Sequence, residues 1–184
     1  MILGKRLRFR AIEKADLSLM VKWRNEYEVN RYFYEHEPLS LVMQEKWFER
    51  YLNSISNEKV WIVDEIDTSN PIGSVSIYHI DWRSRRCEWG RLYLVGDFRG
   101  KGYGKEIEKM IYTYVFEHLN MNKLECEVYS DNVNVIELHK KMGSRVEGEL
   151  VNHVYREGRY KNVTRMAILY DEYIGLKNSG LYEL

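Results

Sequence analysis

The chain has 184 residues, and its 28 Lys and Arg balance its 28 Asp and Glu, so the formal net charge is zero. That length favours a single domain over 1–184. A content of 45% hydrophobic residues is enough for a packed core and argues against disorder. The balanced charge argues against a general nucleic-acid binder and against a polybasic membrane-surface module, although it leaves a local basic patch open.

Membrane and secretion signals are the next features that the sequence excludes. The longest apolar run, 166–170, is far shorter than the about 20 residues that a spanning helix needs. Residues 1–10 carry four basic side chains and lack the apolar core of a signal peptide. Cys87 and Cys126 lie in predicted strands, where we expect buried free thiols. We expect a cytoplasmic protein without a nucleic-acid or membrane partner.

Hydrophobic periodicity predicts a mixed order of helices and strands. Asp16 stands where the N-cap of a first helix is expected, Ser40 where the cap of a second is expected, and Asn132 where the cap of a later one is expected. In chain order, the predicted elements are a strand at 7–12, a helix to about 29, a helix that includes 47–52, strands at 59–65, 72–80 and 86–95, a helix to about 119, a strand at 123–129, a helix at 133–142, and a hairpin of 145–155 and 160–170. This order, with about four helices, indicates an α/β (α+β) fold.

The most informative segment is a glycine-rich turn at 95–105, between a predicted strand and an amphipathic helix. Gly100, Gly102 and Gly104 recur at every second position. The first turn of a helix offers unpaired N–H groups and the positive end of its dipole, and glycines let a pyrophosphate approach the backbone. Three basic side chains add positive charge, namely Arg99, Lys101 and Lys105. We interpret the turn as an anion site.

Two other phosphate-binding patterns fit the turn less well. A P-loop needs a glycine five residues before Gly104 and a Ser or Thr after Lys105, where this chain has Arg99 and Glu106. The dinucleotide fingerprint G-x-G-x-x-G meets Lys105 in place of its last glycine, although Glu125 lies near the acidic position expected further on. On the glycines alone, a tight turn without a ligand stays open.

A third pattern, R-x-x-G-x-G, is met by Arg99, Gly102 and Gly104 and resembles the acyl-CoA pyrophosphate loop of the GNAT acetyltransferase superfamily. Residues 132–143, N-V-N-V-I-E-L-H-K-K-M-G, resemble the N-x-x-A-I-x-L-Y-E-K-x-G stretch of the same family. The resemblance is specific over 86–148 and looser before that range. It implies a GNAT-like, mostly antiparallel sheet that is splayed at a bulge, and an acetyl-CoA-dependent N-acetyltransferase.

The resemblance also implies where acetyl-CoA binds. The main chain of Leu94 and Val95, near the implied bulge, would hold the pantetheine arm, and Asn132 would contact the cofactor. The pyrophosphate would bind the turn, whose residues are Arg99, Gly100, Lys101, Gly102, Tyr103, Gly104 and Lys105. No metal is expected, because the remaining histidines are scattered without ligand spacing.

Glu88 is the candidate general base. An amine of pKa near 10 must lose a proton before it attacks, and similar GNAT members carry Glu at this strand position. Strand alternation predicts that Glu88 shares a face with Gly90, Leu92 and Leu94, where apolar neighbours would raise its pKa. A surface ion pair is the alternative.

His139 is the candidate general acid. It stands where the family usually has a Tyr that protonates the departing CoA thiolate, and an imidazole can also donate a proton. Packing against the cofactor is the alternative role. Because Cys87 and Cys126 have no evident activating partner, we expect the amine to attack the thioester directly in a ternary complex.

The acceptor is less defined. Residues 21–29 resemble the W-R-N-x-x-x-V stretch of RimJ/RimL-type protein N-terminal acetyltransferases and of PseH-type amino-sugar-nucleotide acetyltransferases, and 158–163 also resemble spermidine acetyltransferases. In these folds the first two helices wall the acceptor site. The substrate candidates are therefore Trp23, Arg24, Asn25, Tyr32 and Phe33, with core packing as the alternative for Trp23.

An Arg-Asn pair would suit a nucleotide phosphate or a peptide carbonyl. A polyamine would need carboxylates, which 26–37 supplies at Glu26, Glu28, Glu35 and Glu37. We expect an acetyltransferase, monomeric or homodimeric, that acts on a protein N-terminus or an amino-sugar nucleotide, with a polyamine as a further option. The alternative is a non-catalytic acyl-CoA-binding or protein-interaction module on the same fold.

Overall fold

The protein is described by a computed structural model that covers residues 1–54 and 57–182. The helices are α1 (Leu17–Asn25), α2 (Tyr27–Asn30), α3 (Leu41–Ser54), α4 (Tyr103–Thr113), α5 (Val133–Lys141) and α6 (Tyr170–Asn178). The strands are β1 (Ile2–Leu3), β2 (Leu7–Ala11), β3 (Lys59–Glu65), β4 (Pro71–Asp81), β5 (Arg86–Leu94), β6 (Lys123–Tyr129), β7 (Arg145–Arg156) and β8 (Arg159–Leu169). A π-helical segment, Tyr114–His118, extends α4.

The strands form one sheet in the order β1-β2-β3-β4-β5-β6-β8-β7. Its neighbouring strands are antiparallel except for β5 and β6, which are parallel. The predicted mixed, mostly antiparallel α/β fold is therefore confirmed. The described ranges contain six helices where about four were predicted. The first predicted helix is interrupted at Glu26, which has an extended backbone with ψ of 128°, and α6 begins directly where β8 ends.

Apolar side chains cover both faces of the sheet. On one face, Ile107, Ile111 and Ile136 from α4 and α5 pack with Trp89 and Cys126 of the central strands. On the other face, residues of α1 to α3 pack with Tyr93 and Val60 in a smaller cluster, among them Leu17, Met20, Trp23, Val29 and Tyr51. Cys87 and Cys126 are free and buried, as predicted. Within the described residues, no helix is long and apolar enough to cross a membrane.

The helix caps differ in part from the predictions. Ser40 accepts a hydrogen bond from the N–H of Met43 at 3.2 Å and so caps α3. Asp16 does not cap α1, because its carboxylate is held by Arg10 at 2.7 and 2.8 Å instead. Asn132 precedes α5, but its side chain makes no capping hydrogen bond.

Two β-bulges and one strand separation shape the centre of the sheet. Val75 of β4 lies opposite both Arg91 and Leu92 of β5, and Arg91 has φ of +48°. A second irregularity involves His79, which has φ of +51°. The parallel pairing of β5 with β6 covers only Arg86–Glu88 against Lys123–Glu125, and the two strands then separate. We call this separation the fork. The bulge of β5 therefore lies at Arg91 and Leu92, slightly before the expected Leu94 and Val95.

Candidate active site

The glycine-rich turn follows β5 and leads into α4. Gly96, Gly100 and Gly102 have φ of +49°, +74° and +79°, a region that favours glycine. A Cβ at Gly96 or Gly100 would meet nothing within 4 Å, so both positions face open space. Gly102 precedes the first residue of α4, and no side chain of the described residues caps this helix. The first N–H groups of α4 are therefore available to an anion such as a phosphate.

Contacts with the N-terminal strands hold this turn in position. Glu106 accepts hydrogen bonds from the backbone N–H and the Nε of Arg6 at 2.7 and 2.8 Å, and from the N–H of Leu7 at 3.2 Å. The Arg6 guanidinium also donates to the carbonyl of Lys101 and lies 4.3 Å from the ring centre of Tyr103. The Tyr103 hydroxyl donates to Glu65 at 2.5 Å. These contacts assign Tyr103 a role in anchoring the turn.

Arg99 lies between the turn and the fork. Its Nε donates to the carbonyl oxygen of Leu94 at 2.8 Å, and its guanidinium is 3.9 Å from the Glu28 carboxylate. The main chain of Leu94 is predicted to hold the pantetheine arm, and the Leu94 carbonyl keeps one lone pair for a second donor beside Arg99. Lys101 lies over the ring of Phe98, and Lys105 is exposed. The predicted cofactor residues Leu94, Val95 and Arg99 to Lys105 thus lie on the stretch of chain that leads from β5 into α4.

Four side chains meet at the fork on the face that α1 to α3 cover, and we call them the fork cluster: Tyr34, Tyr78, Glu88 and Glu127. The Tyr34 hydroxyl donates to Glu127 at 2.9 Å. Tyr78 of β4 lies opposite Glu88 of β5. Burial raises the pKa of the Tyr78 phenol, and the carboxylates of Glu88 and Glu127 raise it further. A Cβ on Gly90 would lie 2.9 Å from the Tyr78 hydroxyl, so a larger residue there would displace the Tyr78 side chain.

Glu127 is the carboxylate that the structure stabilises as an anion. Burial alone would raise its pKa, but hydrogen bonds from Arg165 and Tyr34 outweigh this and lower it. Burial and Glu127 together raise the pKa of Tyr34 well above its ordinary value. At neutral pH the pair is therefore a phenol that donates to a carboxylate, and the carboxylate keeps its negative charge.

Glu88 lies in the fork cluster and shares its face with Gly90 as predicted, but the prediction that Leu92 and Leu94 lie on the same face is wrong. Because the bulge at Arg91 adds one residue, Leu92 and Leu94 point to the opposite face, and Glu88 shares its face with Gly90 and Tyr93. The actual neighbour of the Glu88 carboxylate is His79, whose Nδ1 is 3.1 Å away. The Glu88 side chain is 20% exposed, so solvent reaches it.

A cleft of about 400 Å³ opens beside the fork cluster. Its lining residues are Asn57, Glu58, Tyr78, His79, Ile80 and Arg91. Arg91 lies over the Tyr78 ring at 4.4 Å and forms an ion pair with Glu58. The cleft therefore meets the fork cluster at Tyr78 and has room for part of an acceptor.

His139 lies at the fork on the opposite face of the sheet from Glu88. Its ring packs edge-on against Trp89, the first residue of β5 beyond the paired segment, with ring centres 5.2 Å apart. Its Nδ1 is 2.9 Å from Oε1 of Glu108, and it also interacts with the thiol of Cys126. Burial alone would lower the pKa of His139, but Cys126 and Glu108 outweigh this and raise the pKa to about 10. The imidazole is therefore protonated at neutral pH.

The five predicted substrate residues make structural contacts. Trp23 and Phe33 are buried and both pack edge-on against Tyr93. The amide of Asn25 makes two hydrogen bonds of 2.8 Å with the backbone of Leu39. The Arg24 guanidinium stacks on Phe33 at 3.9 Å. Tyr32 is 45% exposed and bonded to Arg31. These contacts favour scaffold roles, and direct substrate contact stays a prediction.

Several residues of the site carried no sequence signal. Tyr34 and Glu127 are 93 positions apart, and neither belongs to a motif. The loop that carries Tyr34 is held by Arg156, whose guanidinium donates to the carbonyl of Phe33 at 2.8 Å. For Glu108, a signal existed, because a carboxylate within the buried stripe of a predicted helix needs a partner.

The fold and the site together define the class of this protein. A sheet that splits between two parallel strands, beside an uncapped helix start with an open glycine turn, is an arrangement that holds an acyl-CoA. The chain matches the family model described as acetyltransferase (GNAT) domain over residues 6–145. It therefore belongs to the GNAT acetyltransferases and is an acetyl-CoA-dependent N-acetyltransferase. In the described ranges, no group of three or more His, Cys, Asp or Glu side chains is arranged to hold a metal ion.

Its relatives include an enzyme whose name gives its acceptor. The chain is 26% identical over 168 residues to the spermidine N(1)-acetyltransferase of Escherichia coli (strain K12), covering 91% of this chain and 88% of that protein. It is 28% identical over 134 residues to the acetyltransferase PseH of Campylobacter jejuni, which covers 72% of this chain and 79% of that protein.

Solved structures of one relative also match. The spermidine N-acetyltransferase of Vibrio cholerae in complex with CoA and spermine superposes with a TM-score of 0.86 at 27% identity, covering 93% of this chain and 99% of that one. A dodecameric structure of the same enzyme in an intermediate state gives a TM-score of 0.81 at 27% identity. The match covers 93% of this chain and 98% of that one.

Proposed function

We propose that this enzyme transfers the acetyl group of acetyl-CoA to a primary amine of a polyamine. The observation that carries the proposal is the ionised Glu127 within the fork cluster, next to Glu88 and an open cleft. A polyamine carries several ammonium groups joined by methylene chains. Carboxylates attract the ammonium groups, and the rings of Tyr34 and Tyr78 offer apolar surfaces and cation–π contacts to the chain. Spermidine N-acetyltransferases among the relatives support the same acceptor class.

The two candidate catalytic residues lie on opposite faces of the sheet at the fork. We infer that Glu88, directly or through water, takes a proton from the ammonium so that the free amine can attack the thioester carbonyl. The bond between the carbonyl carbon and sulfur then breaks, and His139 gives a proton to the CoA thiolate. The turn from Arg99 to Lys105 would hold the pyrophosphate on the backbone of α4.

Acceptor choice is tested by a panel of amines in a thiol-release assay with acetyl-CoA. We expect spermidine and spermine to give the highest kcat/KM, because the fork cluster offers carboxylates to ammonium groups. A peptide N-terminus tests the RimJ/RimL-type prediction, and an amino-sugar nucleotide tests the PseH-type one. Higher kcat/KM for either of these than for spermidine would overturn the polyamine proposal. If none of the amines in the panel causes release of CoA, the non-catalytic alternative is favoured.

The role of Glu88 has its own test. Glu88→Gln removes the proton acceptor and is expected to lower kcat about 100-fold at pH 7. The defect should shrink as the pH approaches about 10, because the amine then loses its proton without help. Glu149→Gln, an exposed change on β7, is the matched control. Full turnover of Glu88→Gln at pH 7 would show that Glu88 is not the base.

The extent of the domain and the oligomeric state are also proposals. We propose that residues beyond the matched 6–145 complete the same domain, because Ile168, Tyr173 and Tyr182 lie in the core that α4 and α5 build. The expected monomer or homodimer remains a prediction. Since the Vibrio cholerae relative has a dodecameric form, light scattering after size exclusion should test for higher oligomers as well.

A further inference from the structure

A buried acid–base pair lies directly behind the fork. Glu108 and His139 have side chains that are 1% and 6% exposed, and the Glu108 Oε1 is 2.9 Å from the His139 Nδ1. The pair joins two separate elements, because Glu108 belongs to α4 and His139 to α5. An ion pair in such a place is costly to bury and does not by itself stabilise a fold, so a functional reason is a better account of it.

Further contacts fix the carboxylate of Glu108 in one orientation. Its Oε1 also accepts a hydrogen bond of 2.6 Å from the hydroxyl of Tyr112, one turn further along α4. The Tyr112 hydroxyl is in turn 2.7 Å from Oγ of Ser144. The Oε2 of Glu108 is buried without a hydrogen-bond partner among the described residues. The carboxylate is thus directed at His139 by one oxygen.

Three side chains contact the imidazole of His139. Trp89 packs against one side of the ring, and Glu108 binds Nδ1. The thiol of Cys126 is the other polar neighbour of the ring, and Cys126 is the first residue of β6 after its pairing with β5 ends. Because Glu108 binds Nδ1, the second ring nitrogen, Nε2, is the one from which a proton can be given to another group.

We propose that Glu108 is a positioning residue for acetyl transfer, which keeps His139 protonated and, by binding Nδ1, leaves Nε2–H as the proton donor. This inference rests on the proposed function, in which His139 is the general acid. In the reaction, the amine nitrogen bonds to the acetyl carbon, the carbon–sulfur bond breaks, and the CoA thiolate takes the proton from Nε2. Glu108 stays ionised throughout, and solvent protonates the neutral imidazole again before the next cycle.

The groups that face His139 explain its protonation. Glu108 is the carboxylate next to the ring, while Tyr112, Cys126 and Trp89 are the other side chains against the pair. Tyr182 also lies near Glu108. The pKa of His139 is raised to about 10, so an imidazolium persists at the pH where a thiol of ordinary pKa, about 8.5, leaves as a thiolate. Cys126 and Glu108 are the two side chains that oppose the effect of burial, so removal of the Glu108 charge lowers the pKa of the imidazole.

The first measurement needs no acceptor. In protein labelled with ¹⁵N-histidine, the ring nitrogens of His139 are assigned by comparison with His139→Gln. We expect both ring nitrogens to carry protons at pH 8 in the wild type and one of them to lose its proton in Glu108→Gln. A neutral His139 at pH 8 in the wild type would overturn the proposal.

The second measurement is kinetic, with Glu137→Gln on the exposed side of α5 as the matched control. Glu108→Gln should lower kcat at pH 8 by about 10- to 100-fold and leave both KM values within about twofold. Glu108→Asp should recover part of kcat, and Glu108→Gln combined with His139→Gln should lose little more than either alone. A folded Glu108→Gln enzyme with wild-type kcat, or with a defect only in KM, would overturn the proposal.

The NMR and the kinetic measurements separate this inference from the assignment of the acceptor. If polyamines are not acetylated, the amine that the panel identifies replaces them in the kinetic arm, and the protonation of His139 is still measured directly. If Glu108→Gln fails to fold, the wild-type titration alone decides: an imidazolium at pH 8 supports the proposal, and a neutral ring overturns it.

Discussion

Glu106 provides a quantitative test of how the glycine-rich turn is held. In Glu106→Ala, the N–H groups of Arg6 and Leu7 lose their acceptor, which lies 2.7 and 3.2 Å away. Each buried N–H without a partner costs about 1–3 kcal/mol. The Arg6 side chain is 41% exposed and can be hydrated again, so its ion pair adds little. We therefore expect a loss of about 2–4 kcal/mol in the free energy of unfolding, or a Tm lowered by about 5–15 °C.

Glu106→Gln is the matched variant, because its amide oxygen can still accept from both N–H groups while the charge next to Arg6 is lost. Its cost should be about 1 kcal/mol or less. The assays are thermal unfolding by circular dichroism and titration calorimetry with acetyl-CoA at a temperature where all variants are folded. Glu106→Ala should also bind acetyl-CoA more weakly, since Arg6 anchors the carbonyl of Lys101. A Tm within about 2 °C of the wild type, with unchanged acetyl-CoA affinity, would refute this account.

Three further predictions address the cofactor, the acceptor and the buried imidazole. Gly102 and Gly158 have φ of +79° and +78°, so Gly102→Glu and Gly158→Glu should lower the free energy of unfolding by similar amounts. Only Gly102→Glu should abolish acetyl-CoA binding in calorimetry. Equal binding by both variants would contradict the placement of the pyrophosphate. Tyr34→Phe removes the hydroxyl that donates to Glu127. This change should raise the KM for spermidine about 10-fold and leave the KM for acetyl-CoA unchanged. An unchanged KM for spermidine would contradict a role of the fork cluster in binding the acceptor. Folding raises the pKa of His139 from 6.5 to about 10, so its stabilising effect is complete below pH 6.5 and is lost as the pH rises through 10. The urea midpoint of the wild type should therefore fall over this range more than that of His139→Gln, and parallel curves would refute the raised pKa.

The sequence predicted the parts of the site that depend on local chain geometry. The glycines of the turn are recognisable because positive φ and close approach to a phosphate need that residue type. Position 139 is recognisable because it belongs to a continuous motif. The order of strands and helices followed from periodicity; among the described elements, β1 and α6 were not predicted, and α1 and α2 were predicted as one helix.

The rest depends on contacts that a single sequence does not encode. One extra residue at the Arg91 bulge reverses the alternation of β5 and moves Leu92 and Leu94 away from Glu88. The contact of Tyr34 with Glu127 joins a loop to a strand far along the chain. Such pairs become visible only when the sheet order brings them together.

The most direct test of the central proposal is the product balance of a reaction with acetyl-CoA and spermidine. Quenched samples would be analysed by mass spectrometry for N-acetylspermidine and for free CoA over a range of both substrate concentrations. We predict one acetylated polyamine for each CoA released, with initial velocities that give intersecting double-reciprocal plots, as direct attack in a ternary complex requires. CoA release without acetylated spermidine, or parallel plots together with an acetylated protein, would contradict it.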